Sequence, residues 1–298
     1  MVVRMKSLLA SIVIVSSLLS YVPFAYSNTS DSSSEEIIVW DRLQDNPVAY
    51  QILETALDKT KAEYGDYHLT PSIPMEQKRV ILQIMNSSKP FIVNFAPNEY
   101  RESVLQPIRI PVTQGLLGYR VCLIKPEKQT VFSGVKGIES LKNRSITIGQ
   151  GKDWPDTKIL KSNGLNVITS PKYQNLFSML EFERFDCFAR SISEVLPELE
   201  KHPLLTLEKS LLLVYRLPSF FFVNQNQTAL ANRIEKGMQI AYQDGSIQKI
   251  IQQHYKEVFS EISASNRTII HLKNHGLSKK TQDALDEFNY WLNFEELQ

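Results

Sequence analysis

Short apolar segments alternate with amphipathic helical segments along most of this chain. Strands separated by helices at this spacing predict α/β architecture, with a mostly parallel sheet that is covered by helices on both faces. The same pattern occurs twice in series, and no linker rich in glycine and serine separates the two parts. The expected strands include residues 37–42, 67–73, 90–97, 118–126, 145–151 and 166–171.

Two of the intervening helices have clear sequence signals. Asp45-Asn46-Pro47 predicts a helix start, since Asn favours the N-cap position and Pro is tolerated in the first turn. In "YQNLFSMLEFERF", the residues Tyr173, Leu176, Phe177 and Leu180 recur at helical spacing. These four side chains are therefore expected to form one buried helix face.

The N-terminus has the three-part layout of a secretory signal. Arg4 and Lys6 precede an apolar stretch, and Ala25-Tyr26-Ser27 places small residues before an expected cleavage site near Ser27. Residues 1–27 are therefore interpreted as a signal peptide and residues 28–36 as a disordered linker, with an uncleaved anchor as the alternative. We expect an exported, periplasmic protein.

Charge excludes one class of partner. The whole chain has a net charge of +1, and removing the two positive charges of the signal leaves −1. No basic field favours nucleic acid as a partner.

The two cysteines, Cys122 and Cys187, either pair in an oxidising compartment or are small buried apolar residues. The second interpretation is favoured here.

The loop after the strand at 145–151 reads "GQGKDWPD" and invites comparison with phosphate-binding loops. It has neither the GxxxxGK[ST] pattern nor a complete GxGxxG, and the chain has no GxSxG or HExxH motif. A strand, a glycine turn and a helix N-terminus suit a small polar or anionic ligand. The alternative is an ordinary turn between a strand and a helix.

Four segments of the mature chain carry a resemblance to a known family. "SITIGQGKDW" is similar to a strand and ligand loop, and "YQNLFSMLEFERFDCFARS" to a helix followed by a GRVDA-type strand. "FFFVNQNQTALANRIEKGMQIAYQDGSIQKIIQQHY" is similar to a return strand with terminal helices, and "NEYRESVLQPIRIPV" is a weaker match. In this order they resemble the bacterial extracellular solute-binding proteins of family 3, the polar amino-acid-binding type.

The resemblance implies a two-lobed fold of the periplasmic-binding-protein kind. Each lobe is a mostly parallel sheet flanked by helices, and two crossing strands, about 118–123 and 217–223, form the hinge. Lobe one is expected to comprise residues 37–117 and 219–262, and lobe two residues 118–218. Residues 263–298 are a C-terminal extension, read as an appended strand and a polar tail.

The ligand is expected to lie between the lobes. Arg101 matches the family's carboxylate-binding arginine, and the loop around Gly151 supplies one wall. The candidate ligand-binding residues are Arg101, Gln150, Gly151, Lys152, Asp153, Trp154, Arg190 and Trp40. No catalytic residue, metal ligand or cofactor site is predicted.

Arg190 occupies the position of the family's acid, which holds a ligand's amino group. A buried cation needs a negative partner, so an anionic ligand is expected, with Trp154 or Trp40 packing on its apolar part. The alternative is that Arg190 turns outward or pairs with an acid such as Glu194, which leaves the cleft vestigial.

The leading functional hypothesis is a periplasmic solute-binding protein that is not an enzyme. As a monomer, it captures a small polar, anionic ligand and presents it to a membrane transporter. One alternative is a ligand sensor that docks on a membrane receptor or kinase. A lower alternative is a cell-wall enzyme related to the lytic transglycosylases, for which the extension after residue 262 is too short to supply the catalytic domain.

Overall fold

The alternation of strands and helices builds two mixed β-sheets, each with helices on both faces. The structure is a computed structural model and describes residues 34–263, 266–287 and 290–292. The expected signal peptide and most of the expected linker lie outside the described residues. The strands are β1 (Glu35–Val39), β2 (Tyr67–Pro71), β3 (Phe91–Phe95), β4 (Leu105–Ile108), β5 (Tyr119–Ile124), β6 (Thr147–Gly151), β7 (Asn166–Ser170), β8 (Cys187–Ser191), β9 (Thr206–Leu207), β10 (Leu211–Val214), β11 (Phe220–Asn224) and β12 (Thr268–His271).

The helices follow the predicted order, and several begin or end at the predicted residues. Short 3₁₀ turns cover Leu116–Gly118 and Pro126–Lys128. The helices are α1 (Asp41–Gln44), α2 (Pro47–Asp58), α3 (Lys61–Tyr64), α4 (Gln77–Met85), α5 (Glu99–Val104), α6 (Gln129–Phe132), α7 (Ile138–Asn143), α8 (Pro155–Ser162), α9 (Tyr173–Glu181), α10 (Val195–Lys201), α11 (Thr228–Gln243), α12 (Ser246–Ser263) and α13 (Lys279–Glu287).

Helices α2 and α9 confirm the two sequence signals. The Asn46 side chain caps α2 by accepting a hydrogen bond from the Ala49 amide at 3.1 Å. Leu176, Phe177 and Leu180 are the buried face of α9. The first predicted strand was too long, because β1 ends at Val39 and α1 follows almost at once.

Sheet one has the strand order β2-β1-β3-β11-β4, and sheet two has the order β12-β10-β5-β8-β6-β7 with β9 beside β5. Strand β1 is parallel to β2 and β3, and β6 is parallel to β7 and β8. The antiparallel pairs involve β11 in sheet one and β5 in sheet two. Strand β5 is the first strand after the chain crosses from sheet one to sheet two, and β11 is the first strand after it crosses back. The expected two-lobed α/β fold is confirmed, with mixed rather than uniformly parallel sheets.

Each sheet is packed between helices, and we call the two assemblies lobe one and lobe two. In sheet one, β3 turns Ile92 toward the cluster of α2, α11 and α12, and Phe91 and Val93 toward α4. In sheet two, β8 turns Phe188 toward α9, and Cys187 toward α8. Alternating side chains thus bury both faces of each sheet.

The chain crosses between the sheets over residues 109–118 and returns over residues 215–219, just before the strands β5 and β11. The two crossing segments touch, since the Tyr215 amide donates to the Gly118 carbonyl at 3.0 Å and the Val112 amide to the Ser219 carbonyl at 2.9 Å. A Cβ atom on Gly118 would lie 1.9 Å from the Tyr215 carbonyl oxygen. Glycine is needed there for the close approach.

Cys122 and Cys187 form a disulfide bond, with their Cα atoms 5.1 Å apart. The sequence-based preference for two unpaired cysteines was therefore wrong. The two residues lie on the adjacent strands β5 and β8, whose register places Cys122 opposite Ala189, two residues from Cys187. Their side chains share one face of sheet two, which brings the sulfur atoms together.

Residues 266–292 extend both lobes. Strand β12 adds to the edge of sheet two, which confirms the appended strand. The expectation of a uniformly polar tail was wrong. Helix α13 follows β12, and Leu277 and Leu285 are buried in a lobe-one cluster. Within the described ranges, no helix combines the length and apolar character that a membrane span requires.

Candidate ligand cleft

The predicted ligand loop connects β6 to α8. The Trp154 side chain folds back over the end of the strand, where a Cβ atom on Gly151 would lie 2.5 Å from the indole ring. The indole ring stacks on Phe188 with ring centroids 6.3 Å apart, and lies 6.0 Å from the ring of Tyr173. Gly151 therefore leaves the space that Trp154 occupies.

Gln150 is fully buried beside this loop. Its Nε2 atom donates to the Ala189 carbonyl of the neighbouring strand at 2.8 Å. Its Oε1 atom has no hydrogen-bond partner within the described part of the chain. A buried acceptor without a donor is uncommon, and a ligand or a water molecule would satisfy it.

Lys152 and Asp153 follow in the same loop. Lys152 is exposed, and its amide donates to the Ser170 carbonyl at 2.9 Å. Asp153 pairs with Lys78 of helix α4 at 3.2 Å, with both side chains largely exposed. Since α4 belongs to lobe one, this ion pair joins the two lobes, and we call the place where they meet here the mouth.

Arg101 lies in the lobe-one wall. The Asn98 side chain caps α5 by accepting from the Arg101 amide at 2.9 Å, and the Arg101 residue is 5% exposed. Its guanidinium donates to the Ala96 carbonyl at 2.6 Å and to Gln77 Oε1 at 2.7 Å, and it lies 4.7 Å from the Phe95 ring centroid. All of these partners are neutral.

The electrostatic surroundings of Arg101 reach into lobe two. Burial lowers the pKa of Arg101 to about 10, whereas the charges of Asp156 and Asp153 raise it. The group remains a cation at neutral pH. Among the residues that the structure describes, no carboxylate lies within ion-pair distance of this guanidinium.

Arg190 lies in the opposite wall and has acidic partners of its own. Its Nε donates to Glu198 Oε2 at 2.8 Å and its Nη2 to Glu198 Oε1 at 2.6 Å, and Glu194 lies 3.1 Å away. Burial acts to lower the pKa of Arg190, but Glu194 and Glu198 hold it well above the ordinary value. The negative partner that was expected from a ligand is supplied by helix α10 and the residue before it.

A second ion pair lies on the other face of sheet two. Arg120 pairs with Asp156 at 2.6 Å, and Tyr215 donates to the same Asp156 oxygen at 2.6 Å. Glu194 lies 3.5 Å from Arg120 and thereby connects this pair to Arg190. In this cluster, which extends over both faces of sheet two, two guanidinium groups share three carboxylates, so the cluster has one more negative than positive charge.

Several of these residues were not predicted as site residues. Asp156 lies in the first turn of α8, and neither it nor Glu198 nor Arg120 belongs to a motif identified in the sequence. Glu198 follows Glu194 by four residues, so both carboxylates share one side of the chain as it enters α10. This four-residue spacing is the sequence signal that could have predicted two acidic partners for Arg190.

Trp40 lies deeper in lobe one than the other candidates. It is 5% exposed, its Nε1 donates to the Met75 carbonyl at 3.0 Å, and its ring centroid is 5.1 Å from that of Phe95. Through Phe95 it supports the ring on which Arg101 rests. The structure therefore places Arg101 in lobe one and Trp154, Asp153 and Arg190 in lobe two, and it places Trp40 in the core of lobe one behind Phe95.

The sequence matches no protein-family model and no curated protein. Solved structures do match. An amino acid ABC transporter substrate-binding protein from Streptococcus pneumoniae, bound to L-arginine, has a TM-score of 0.54 at 12% identity, over 75% of this chain and 95% of that chain. A periplasmic His/Glu/Gln/Arg/opine family-binding protein from Silicibacter pomeroyi, in complex with lysine, has a TM-score of 0.53 at 9% identity, over 75% of this chain and 98% of that one.

A third similar structure has a different history. An ancestral amino acid-binding protein, a precursor of cyclohexadienyl dehydratase, has a TM-score of 0.53 at 10% identity, over 74% of this chain and 95% of that chain. These similarities establish the fold of this chain as that of the amino-acid-binding proteins of ABC transporters. A fold shared by binders and an enzyme precursor leaves the function to the residues of the site.

Proposed function

We propose that this protein is an exported solute-binding protein that holds a small carboxylate-bearing ligand between its lobes and presents it to a membrane transporter. The observation that carries the proposal is Arg101. This buried guanidinium has only neutral partners in its own lobe, and the charges of Asp156 and Asp153 in lobe two raise its pKa. A ligand carboxylate would give it the charge partner that burial calls for.

The charges of the two walls narrow the class of ligand. Arg101 is the candidate lobe-one cation without an acidic partner of its own, whereas the cluster of arginines and carboxylates in lobe two has one carboxylate more than it has arginines. A ligand with one negative charge, directed toward Arg101, suits this distribution. Ligands with several negative charges would be repelled by lobe two, so the anionic ligand proposed here is a carboxylate rather than a phosphate.

The roles of the other candidate ligand-binding residues are proposed from their positions in the structure. Trp154 would pack on the apolar part of the ligand, while Lys152 and Asp153 close the mouth. Gln150 Oε1 would accept a hydrogen bond, and Arg190 would position the wall through Glu198. Lobe boundaries at residues 37–117 with 219–262, and at 118–218, stand as part of the same proposal.

The ion-pair contacts of the acidic groups in lobe two favour a binding protein over an enzyme. Asp156, Glu194 and Glu198 each lie in ion-pair contact with an arginine. Their oxygens accept from guanidinium groups of the protein itself and are therefore engaged in internal ion pairs. Together with the transporter proteins of similar fold, this supports capture and delivery of a solute in the periplasm as a monomer.

The proposal is tested by a thermal-shift screen of residues 28–298. Separate panels contain monocarboxylates, amino acids, phosphorylated metabolites and neutral sugars. A ligand present at about a hundred times its dissociation constant stabilises a one-site protein by about 2.7 kcal/mol. A stabilising hit is expected among the monocarboxylates or amino acids.

Each hit is then titrated against Arg101→Gln by calorimetry. Loss of a buried charge partner commonly costs about 2–5 kcal/mol, so affinity should fall at least about tenfold. The matched control is Arg79→Ala, an exposed arginine on α4, which should bind as the natural sequence does. A neutral ligand that binds Arg101→Gln equally well would overturn the proposal.

A further inference from the structure

The segment of residues 266–287 and 290–292 contacts both lobes and both crossing segments. It begins in lobe two, where β12 pairs in parallel with β10 from Leu211–Thr268 to Val214–His271. Ile270 and the following Leu272 are buried in the lobe-two core. The main-chain pairing of β12 with β10 and two buried apolar side chains therefore anchor the start of the segment in lobe two.

The segment next follows the second crossing. The Leu272 amide donates to the Val214 carbonyl at 2.8 Å, and the Asn274 side chain donates to the Arg216 carbonyl at 2.8 Å. The Arg216 side chain in turn pairs with Asp286 of α13 at 2.7 Å. The segment therefore runs along the chain where it leaves lobe two for lobe one.

Helix α13 is anchored in lobe one. Glu102 is a buried carboxylate that accepts from Ser278 Oγ at 2.7 Å, from Thr281 Oγ1 at 2.9 Å and from Arg109 Nη2 at 2.9 Å. Thr281 is fully buried, and Leu277 and Leu285 join the apolar cluster of lobe one. Breaking this contact would leave a buried carboxylate with fewer donors.

Residues 290–292 then return to the first crossing. The Leu292 amide donates to the Gln114 carbonyl at 2.9 Å, and the Tyr119 hydroxyl donates to the Leu292 carbonyl at 2.8 Å. The Trp291 ring covers Gly115, where a Cβ atom would lie 2.4 Å from it. Gly115 also has a φ of 80°, a conformation that favours glycine.

These contacts give the lobes a third connection besides the two crossings. Lobe motion in a hinge protein requires the lobes to rotate about the crossing segments. Lys273 is still hydrogen-bonded to lobe two, since its amide donates to Asn163 Oδ1 at 3.1 Å and its carbonyl accepts from Asn163 Nδ2 at 2.9 Å. Residues 274–276 alone then separate Lys273 from the first residue buried in lobe one, Leu277. Four fully extended residues span at most about 14 Å, so this link restricts how far the anchors can separate.

We propose that residues 266–287 and 290–292 act as an interlobe strap that limits how far the two lobes can separate. The lobes then stay near the arrangement described here when no ligand is bound. The strap is a property of the chain itself, so it does not rest on the proposed function. It predicts that cutting the link at residues 274–276 increases the separation of the lobes.

The test uses a protease recognition sequence inserted between His275 and Gly276, both of which are exposed. Spin labels on Gln83→Cys in lobe one and Lys172→Cys in lobe two report the lobe separation by pulsed electron paramagnetic resonance. Both positions are exposed, and Cys122 and Cys187 are held in a disulfide. The doubly labelled protein without the insertion should give one narrow distance distribution, and the cleaved protein should give a broader one at longer distance.

The matched control carries the same insertion between Ser133 and Gly134, an exposed loop within lobe two. Cleavage there should leave the distance distribution unchanged. A second route avoids the insertion, because Leu285→Asp should detach α13 and produce the same lengthening. A distribution that stays narrow and unshifted after complete cleavage, or in Leu285→Asp, would overturn the strap.

Discussion

Arg101 and Arg190 are buried to the same degree in opposite lobes, yet their charges are balanced in different ways. Arg190 is held by Glu198 and Glu194 within its own lobe. Arg101 is held by a carbonyl, an amide oxygen and an aromatic ring, with acidic groups of the other lobe only at longer range. A buried cation with internal acidic partners serves the fold, whereas one without them is available to a ligand.

The largest expected effect of this difference is on lobe two. Glu198→Ala removes the main partner of Arg190 and also the acceptor of the Tyr173 hydroxyl, which donates to Glu198 at 2.6 Å. Breaking a buried ion pair on one side typically costs about 3–5 kcal/mol. Urea unfolding of Glu198→Ala should show a loss of that size.

The matched control is Glu200→Ala on the same helix, where the side chain is exposed and little change is expected. A double variant, Arg190→Met with Glu198→Leu, removes both charges and should recover most of the loss. If Glu198→Ala were as stable as Glu200→Ala, Arg190 would not depend on this carboxylate. Arg190 and Arg101 would then not differ in their dependence on an internal acidic partner.

The backbone framework was largely predictable from sequence. Alternating apolar periodicity identified the strands and α9, and the Asn46-Pro47 signal placed the start of α2. These features depend on neighbours in sequence, which a single chain displays. The similarity to solute-binding proteins added the two-lobed arrangement, which local patterns alone do not specify.

The pairings within the cleft were less predictable, because they depend on contacts between distant elements. Cys122 and Cys187 are 65 residues apart, and only the pairing of β5 with β8 places them together. For Arg190, the leading expectation of a ligand as its negative partner was wrong, whereas the alternative of pairing with Glu194 is what the structure shows, with Glu198 as a second partner that was not predicted. The anchoring of α13 similarly depends on Glu102, far away in sequence.

A smaller effect on stability is expected at Arg101. Arg101→Gln removes hydrogen bonds and the contact with Phe95, but it also removes a buried charge that has no ion-pair partner. A neutral hydrogen bond contributes about 1 kcal/mol, so unfolding should change by about 1 kcal/mol or less in the absence of ligand. Arg190→Gln, compared in the same urea titration, should cost several times more, because it leaves Glu198 without its partner. Equal losses would mean that Arg101 has an internal acidic partner.

The smallest effect is expected at the ion pair that joins the lobes across the mouth. Lys78 and Asp153 are 79% and 53% exposed, so water screens their attraction. Exposed pairs typically contribute less than about 1 kcal/mol, and Lys78→Ala should therefore cost about 0.5 kcal/mol or less. That difference should vanish at about 1 M salt, where the Debye length is about 3 Å. The lobe separation measured with the same spin labels should not change either, since the proposed strap holds the lobes independently of this pair. A clear lengthening in Lys78→Ala with the strap intact would instead make the mouth, rather than residues 266–287 and 290–292, the place where the lobes are held together.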